Sequence, residues 1–440
     1  MKIMFVSLGC DKNLVDSEVM LGLIKEKSYE LTNMEEEADI IVVNTCCFIN
    51  DAKEESIQTI LEMAEYKKGK CKVLIAAGCL SERYKDEILK EIPEVDALLG
   101  TSSYDEILNA IDKALEGKKF TSYKDINDNL LTYKDRVNTT GGYYSYVKIA
   151  EGCDKHCTYC IIPSLRGKYK SRPVEVIVEE VKNLVSKGIK EIILVAQDTT
   201  VYGIDLYGEY KIAQLLESLC TIEDLKWIRL LYCYPEEISD ALLEVMKNNE
   251  KVCKYLDIPI QHADDDILKQ MGRKTTQEML VNKINKIREM VPEIAIRTTL
   301  ITGFPGETKQ QHETVIDFVK KMQFDRLGVF NYSQEEDTPA ARLPEQIEES
   351  IKNKRREEIM MIQQEISKEK TASMIGKTIE VLIEGYLPED RVYIGRSYKD
   401  APGVDGYVFV KSDIEIISGE FVKAKVNETS EYDLIGEMIE

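Results

Sequence analysis

Short apolar runs alternate with amphipathic stretches over the first quarter of the chain. Apolar runs predict buried strands, and apolar residues at helical spacing predict helices that cover them. Strands are predicted at 2–8, 38–44 and 73–77, and helices at 16–25, 56–66 and 104–115. Strands that alternate with helices favour a parallel sheet. Residues 1–115 are therefore predicted to form a doubly wound α/β domain.

A polar, Asn/Asp-rich segment at 116–142 follows and is predicted to be a linker. Six strand patterns then come in order, at 144–150, 191–196, 227–234, 255–260, 295–301 and 326–332. Helix patterns separate them at 174–186, 212–219, 238–247, 277–290 and 308–322, and a charged helix is predicted at 351–374. Six β–α units predict an open parallel barrel over 143–374, because a closed barrel of this kind has eight strands.

The pattern changes again at residue 375, where short β segments are separated by glycine turns. These segments lie at 378–384, 391–396, 406–410 and 421–426. Residues 375–440 are therefore predicted to form a small antiparallel β-barrel.

Composition is consistent with this division into three parts. The 440 residues suit about three domains at roughly 150 residues each. No apolar run reaches the ~20 residues that span a bilayer, and the first residues do not resemble a signal peptide. Eleven cysteines without such a signal indicate a reducing cytoplasm, where cysteines more often bind metal or act in catalysis than form disulfides.

Three cysteines occupy one short loop after the first strand of the predicted barrel. Cys153, Cys157 and Cys160 have the spacing C-x₃-C-x₂-C. Soft thiolates favour zinc or iron–sulfur clusters, and a closed zinc site usually has four ligands. Three thiolates can instead hold three corners of a cubane cluster and leave the fourth iron open. A zinc loop and three unrelated cysteines are the alternatives.

Three further cysteines follow three different strands of the first domain. Cys10, Cys46 and Cys79 each come directly after a predicted strand. Any one of them alone would be read as a small buried apolar residue. Together they are expected to converge, because ligands of parallel sheets bind beyond the carboxyl ends of the strands. The sequence thus predicts a second three-thiolate site.

Other polar loops lie on the same face of the predicted barrel. Gln197 follows its second strand, and Gly303 and Gly306 would let the backbone approach a ligand closely, although an ordinary loop explains them equally well. His156 and His262 are expected to be solvent-facing or structural. The remaining cysteines in strand or helix patterns are expected in the core: Cys71, Cys220, Cys233 and Cys253.

The cysteine loop resembles the signature of the radical S-adenosylmethionine (SAM) superfamily. The resemblance implies that the methionine end of SAM binds the open iron. It also implies that Tyr159, the residue before the last cysteine, packs beside the cofactor. The segments LVAQDTT (194–200) and YLDIPIQH (255–262) resemble methylthiotransferases of the RimO branch, and this second resemblance favours Gln197, Gly303 and Gly306 as residues that line the cofactor cavity.

The chain resembles the methylthiotransferases, and most closely their RimO branch. The resemblance lies in SLGCDKNLVDSE (7–18), LVAQDTT (194–200) and YLDIPIQH (255–262). That branch usually has Pro where Asp11 stands, and Gly where Cys47 stands. Cys46 holds the motif position and is taken as the ligand, with Cys47 as a core or redox-sensitive neighbour. The C-terminal barrel resembles the TRAM domain that ends these enzymes.

The resemblance implies a transferase with two 4Fe–4S clusters and SAM as cofactors. The barrel cluster would cleave SAM to a radical that abstracts hydrogen from the β-carbon of an aspartate in small-subunit ribosomal protein S twelve. The N-terminal cluster would carry the sulfur that is inserted. An electron donor and a sulfur donor, both unidentified, would also be required.

Net charge bears on the choice of partner. The whole chain has a formal charge of −21, and residues 372–440 carry seven Lys and Arg against fourteen Asp and Glu. An RNA-binding barrel is expected to be basic. The charge therefore favours a basic ribosomal protein over nucleic acid. The alternatives are a tRNA adenosine methylthiotransferase of the MiaB type, which predicts a basic barrel, and a non-enzymatic iron–sulfur carrier or RNA-binding scaffold, which predicts no cofactor turnover.

Overall fold

The computed structural model describes residues 1–27, 29–128 and 135–439. Six parallel strands form the first sheet: β1 (Lys2–Ser7), β2 (Glu30–Leu31), β3 (Ile40–Thr45), β4 (Val73–Gly78), β5 (Ala97–Leu99) and β6 (Phe120–Ser122). Their order is β2-β1-β3-β4-β5-β6. Consecutive strands β1 and β2 lie on one side and β3 to β6 on the other. The order in which strands are added to the sheet therefore reverses between β1 and β3. Sheets of this kind bind ligands at such a switch point.

Helices cover both faces of this sheet: α1 (Asp11–Lys25), α2 (Asn50–Glu65), α3 (Cys79–Tyr84), α4 (Asp86–Glu91) and α5 (Ile107–Leu115). Successive residues of β3 point to opposite faces, as the period of a strand requires. Ile41 and Val43 pack with α2, whereas Ile40 and Val42 pack with α1 and α5. The predicted doubly wound domain is confirmed.

Two boundaries differ from the sequence prediction. Strand β6 lies inside the predicted linker 116–142 and pairs with β5, so the first sheet extends to Ser122. Three residues are too few for a hydrophobic period to mark a strand. Helix α1 begins at Asp11 rather than at residue 16, because its polar first turn carries no apolar spacing. The part of the predicted linker at 129–134 lies outside the described residues.

The central sheet is parallel, six-stranded and open, as predicted. Its strands are β7 (Tyr144–Lys148), β10 (Glu191–Val195), β11 (Trp227–Leu230), β12 (Val252–Gln261), β13 (Ala295–Thr302) and β14 (Arg326–Asn331). They run in chain order from β7 to β14, which form the two edges. A short antiparallel pair, β8 (Ala150–Glu151) and β9 (Lys170–Ser171), lies beyond β7.

Helices pack on the outside of this sheet around one large apolar core. They are α6 (Ile162–Arg166), α7 (Val174–Ser186), α8 (Ile204–Tyr207), α9 (Ile212–Cys220), α10 (Asp240–Asn248), α11 (Asp265–Gln270), α12 (Gln277–Met290), α13 (Lys309–Met322) and α14 (Glu349–Ala372). The last of these contacts β14 and α13, so the predicted charged helix does pack along the barrel.

The C-terminal part is a closed five-stranded barrel. Its strands are β15 (Thr378–Leu387), β16 (Val392–Arg396), β17 (Val408–Lys411), β18 (Phe421–Thr429) and β19 (Leu434–Ile439). The predicted barrel is confirmed with one correction, since β17 and β19 pair in parallel rather than antiparallel. Strand β19 closes the barrel and was not predicted.

A buried ion cluster joins this barrel to the central sheet. Glu191, the first residue of β10, lies 2.8 Å from Arg229 Nε and 2.7 Å from Arg396 Nη2. All three side chains are fully buried. Burial opposes the charged carboxylate, but the two guanidinium groups outweigh it and hold the pKa of Glu191 below its usual value. The C-terminal barrel thus covers the amino ends of the strands and leaves their carboxyl ends free for a site.

No helix in the described part of the chain combines the length and apolar character needed to cross a membrane.

Candidate functional site

The cysteine loop lies between β8 and β9, beyond the carboxyl end of β7. Cys153 N donates to Gly167 O at 3.1 Å, and Cys160 N donates to Cys157 O at 3.1 Å. Cys153 and Cys157 are buried, and Cys160 is half-buried. The loop therefore places three cysteines on the face of the sheet where parallel barrels have their active sites.

The electrostatics of this loop disfavour free thiolates. Burial raises the pKa of Cys153 to about 11 and that of Cys160 to about 12, and the neighbouring cysteine charges act in the same direction. A thiol binds metal as its thiolate, so metal binding at this loop must release protons.

An arginine that the sequence analysis missed lies beside the loop. The Arg273 guanidinium is 4.4 Å from the centre of the Tyr234 ring, and the Tyr234 hydroxyl is 4.0 Å from Cys157 Sγ. Arg273 is buried, and its Nε and Nη1 have no hydrogen-bond partner among the described residues. Two unpaired buried donors beside the cysteines fit the carboxylate of a bound cofactor. Burial of this Arg depends on tertiary packing, which no local sequence pattern indicates.

Gln197 and its neighbour Asp198 contribute polar groups from the end of β10. Gln197 Nε2 donates to Glu151 Oε1 at 2.7 Å, while Gln197 Oε1 is buried without a partner within the described ranges. Burial raises the pKa of Asp198 to about 6, although Thr200 and Lys155 act against it. Gln197 thus offers an acceptor that is free to bind a ligand.

Tyr159 packs against an apolar group that includes Phe304 and Met271. The two predicted glycines lie nearby but their close contacts are with the protein itself. A Cβ on Gly303 would lie 2.3 Å from Lys352 Cγ, and one on Gly306 would lie 3.4 Å from Glu345 Oε2. Close packing therefore accounts for Gly303, and the positive φ of 78° accounts for Gly306. Contact of either glycine with a cofactor stays a prediction.

The second cysteine set gathers where β1, β3 and β4 end. Cys10 precedes α1, Cys46 follows β3, and Cys79 is the first residue of α3. The glycine before Cys10 has φ +83°, and a Cβ on it would lie 2.8 Å from Cys46 Sγ. The glycine before Cys79 likewise has φ +90°. Only glycine allows the backbone to bring these strand ends so close together.

The structure distinguishes Cys46 from Cys47. Burial raises the pKa of Cys46 to about 12, and the charges that act on it include those of Cys79 and Cys10. Cys47 is fully buried in the apolar layer under α2, and its charged neighbours are Cys79, Cys46 and Arg83 but not Cys10. Cys46 Sγ is therefore the thiol that packs against the turn carrying Cys10, and its choice over Cys47 as the ligand stays a prediction.

Contacts across the two domains bring the cysteine sets to one region. Asp11 stands where the resembling branch has Pro, and its Oδ1 accepts from the Tyr232 hydroxyl at 3.0 Å. Lys12 Nζ is 3.3 Å from the centre of the Tyr232 ring. Tyr232 lies two residues after the end of β11, and Asp11 and Lys12 follow the end of β1. The strand ends of the N-terminal sheet therefore face those of the central sheet.

The remaining predicted residues lie in structural positions. His262 is buried rather than solvent-facing, and its Nδ1 accepts from Asp264 N at 3.0 Å. Cys71, Cys233 and Cys253 are buried, and Cys220 is partly buried against the core.

Each cysteine set offers three soft thiols, the donor type that zinc and iron–sulfur clusters share. Within the described part of the chain, no three or more His, Cys, Asp or Glu side chains converge on a point that would hold one metal ion. A cubane cluster needs no such point, because each thiolate binds a different iron. The donors are soft thiols, and those of each set act on one another electrostatically.

Comparisons with known proteins agree with this architecture. Residues 2–100 match the Uncharacterized protein family UPF0004, residues 147–319 the Radical SAM superfamily, and residues 375–439 the TRAM domain. The radical SAM methyltransferase TsrM from Kitasatospora setae has a similar fold, with a TM-score of 0.56 and 12% identity over 77% of this chain and 76% of that one.

Full-length relatives are far more similar. "Ribosomal protein uS12 methylthiotransferase RimO" from Lachnoclostridium phytofermentans is 62% identical over 99% of both chains. The protein of the same name from Acetivibrio thermocellus is 52% identical over 100% of this chain and 98% of its own.

The fold and the site define a radical SAM enzyme that carries a second cysteine triplet and a TRAM barrel. Within that class, the chain belongs to the RimO family of methylthiotransferases. It is accordingly a transferase that uses SAM and an iron–sulfur cluster.

Proposed function

We propose that this enzyme inserts a methylthio group at the β-carbon of an aspartate in ribosomal protein uS12. The observation that carries this proposal is that a cysteine triplet lies at the strand ends of each of two contacting domains, in a chain whose full-length relatives are named as uS12 methylthiotransferases. When bound, a 4Fe–4S cluster and SAM supply the radical chemistry, and the protein supplies binding and orientation.

Cys153, Cys157 and Cys160 would hold the barrel cluster. Arg273 would bind the carboxylate of SAM through its unpaired Nε and Nη1, and Gln197 would accept a hydrogen bond through Oε1. Tyr159, on the apolar side of the loop, would pack against the cofactor and help to exclude water. Gly303 and Gly306 would shape the adjacent turn.

Cys10, Cys46 and Cys79 would hold a second 4Fe–4S cluster, which would carry the sulfur. This two-cluster assignment rests on the electrostatic proximity of these three thiols and on the strand ends that deliver them. The reaction also needs an external electron donor and an external sulfur donor. We place all of these steps in the cytoplasm, where uS12 is made.

The charge of the C-terminal barrel supports a protein substrate. Residues 372–440 carry a net charge of −7, which suits a basic ribosomal protein and opposes RNA phosphates. The tRNA-modifying alternative predicts a basic barrel and is not favoured, since relatives at 50–62% identity over the full length bear the uS12 name.

Mass spectrometry of uS12 and of tRNA from a strain that lacks this gene tests the proposal. We expect uS12 to lose the mass of one methylthio group and tRNA to be unchanged. The wild-type gene should restore the modification, and a matched Cys153/Cys157/Cys160→Ala gene should not. Loss of a tRNA modification with uS12 unchanged would overturn the assignment.

Iron analysis tests the number of clusters separately. Anaerobically reconstituted protein should hold about eight irons, and either triple Cys→Ala variant about four. An iron content that the Cys10/Cys46/Cys79→Ala substitution leaves unchanged would contradict the second cluster.

A further inference from the structure

One buried arginine links the helix after the cysteine loop to the N-terminal cysteine set. Arg166 is the last residue of α6, the helix that follows the cysteine loop, and it is 3% exposed. Its Nη2 lies 3.4 Å from Cys79 Sγ and 2.8 Å from Asn13 Oδ1. Its Nη1 lies 2.8 Å from Asp16 Oδ2. A side chain of the central domain thus binds three residues of the N-terminal domain.

The charge of Arg166 is balanced locally. Lys148 Nζ lies 2.5 Å from Asp16 and 2.6 Å from Glu151, and Glu151 also lies 3.2 Å from Arg166 Nη1. All four side chains are buried. Two cations therefore face two carboxylates, and loss of Arg166 alone would leave one uncompensated negative charge beside Cys79.

The same network reaches the cofactor side of the barrel. Glu151 Oε2 accepts from Arg166, and its other oxygen accepts from Gln197 at 2.7 Å. The side chains of Cys79, Arg166, Glu151 and Gln197 therefore form one continuous hydrogen-bonded chain between the two sites. A network of this kind fixes the geometry of each member through its neighbours.

We propose that Arg166 is a positioning residue that fixes the Cys79 side of the N-terminal cluster against the barrel and raises the reduction potential of that cluster. The proposal rests on the proposed function, because it requires Cys79 to be a cluster ligand. Reduction adds negative charge to a cluster, and an N–H donor or cation at a ligand sulfur stabilises the added charge.

The test measures the midpoint potential of the N-terminal cluster by redox titration monitored with electron paramagnetic resonance. The parent protein is the full-length Cys153/Cys157/Cys160→Ala variant, which lacks the barrel cluster ligands. Arg166→Met is combined with Asp16→Asn, which removes the donor while keeping the local charge balanced. We expect the midpoint potential of the cluster to fall by at least about 59 mV. For a one-electron couple this lowers the ratio of reduced to oxidised cluster tenfold. Arg166→Lys keeps a cation and should give a smaller fall.

Arg172→Met is the matched control. Arg172 is also buried, donates to Lys148 O at 2.7 Å and pairs with Glu180, and among the described residues it contacts no cysteine. The midpoint potential of the cluster in the Arg172→Met variant should equal that in the parent protein. An unchanged potential in the Arg166→Met/Asp16→Asn variant, or an equal fall in Arg172→Met, would overturn the role of Arg166.

Failure of the underlying assignment gives a different result. If the parent triple variant binds no iron, the N-terminal cluster itself is absent and the proposed function fails with this proposal. If the parent binds about four irons and only the predicted shift is missing, the cluster stands and Arg166 is excluded as its positioning residue.

Discussion

Arg83 Nη1 lies 2.9 Å from Glu335 Oε2, and both side chains are buried. Arg83 belongs to α3, the helix that begins with Cys79, and Glu335 lies in the loop after β14. Arg83 Nη2 also donates to Glu336 O at 3.0 Å. The helix that presents Cys79 is therefore held by the central domain at both ends, by Arg166 near its start and by Glu335 near its end.

Glu335→Ala should destabilise the docking of the two domains. A buried cation that loses its partner typically costs about 3–5 kcal/mol. Denaturant unfolding measures the loss of stability. The rate of proteolytic cleavage between residues 123 and 143, which join the two domains, reports on their separation. Glu65→Ala is the control, because the Lys68–Glu65 pair is exposed and such pairs contribute about 1 kcal/mol or less. Equal free energies of unfolding and equal cleavage rates for the two variants would show that the buried Arg83–Glu335 pair does not hold the domains together.

The sequence could predict the N-terminal cysteine set because its strands carry strong patterns. Strands β3 and β4 are buried along their whole length, and their apolar runs are visible without any structure. A parallel sheet then requires Cys46 and Cys79 to emerge at the same edge. Six barrel strands and the change to short β segments were visible for the same reason.

What the sequence could not indicate depends on contacts between distant residues. Strand β6 is only three residues long, and it is defined by pairing with β5. Arg166 and Arg273 look like surface cations until the fold surrounds them. The glycine at 303 suggested an open approach to a ligand, yet Lys352 from α14 fills that space. Local patterns report period and composition, and they carry no information on which distant side chain occupies a gap.

Cys46 and Cys47 should differ in their effect on iron content. Cys46→Ser removes the thiol on which the charges of both Cys10 and Cys79 act, so the N-terminal cluster should be lost and about four irons should remain. Cys47→Ser is the matched control and should keep about eight, since Cys47 is fully buried. Iron and sulfide analysis of reconstituted protein measures both. The reverse result would make Cys47 the ligand.

Glu191→Gln should weaken the attachment of the C-terminal barrel in a pH-dependent way. Burial opposes the charge of Glu191, but Arg396 and Arg229 prevail and keep its pKa below the ordinary value of about 4.3. A carboxyl whose pKa is lower in the folded state adds stability above the unfolded pKa, and this stability is lost as the pH falls through the folded pKa.

At pH 7 the variant should therefore be less stable by about 3–5 kcal/mol, the cost of breaking a buried pair. The difference should shrink as the pH falls below about 4, because the wild type then loses the same charge. Thermal unfolding of metal-free protein across this range measures it. A difference that is constant with pH would indicate that lost packing, not the carboxylate charge, is responsible.

The acidic surface of the C-terminal barrel should govern the rate at which uS12 is captured. Four acidic residues are exposed on this barrel, two in the turn between β15 and β16 and two in the loop between β17 and β18. They are Glu389, Asp390, Asp413 and Glu415. Their reversal to Lys should slow association with uS12 at least tenfold at low salt, within the ~10–10³ range of electrostatic steering. The effect should decrease at physiological salt, where the Debye length is ~8 Å.

A control that reverses the same number of charges elsewhere separates local attraction from net charge. Glu62, Glu65, Glu91 and Glu94 are exposed on the N-terminal domain, and their reversal to Lys changes the total charge equally. This control should bind uS12 with nearly the wild-type rate, because steering depends on the charges that border the contact. Iron content should be unchanged in both variants, since neither set lies near a cysteine triplet. Equal slowing of uS12 association in both variants would leave net charge as the cause. Tight, salt-sensitive binding of the wild-type protein to a tRNA stem-loop would favour the tRNA-modifying branch instead.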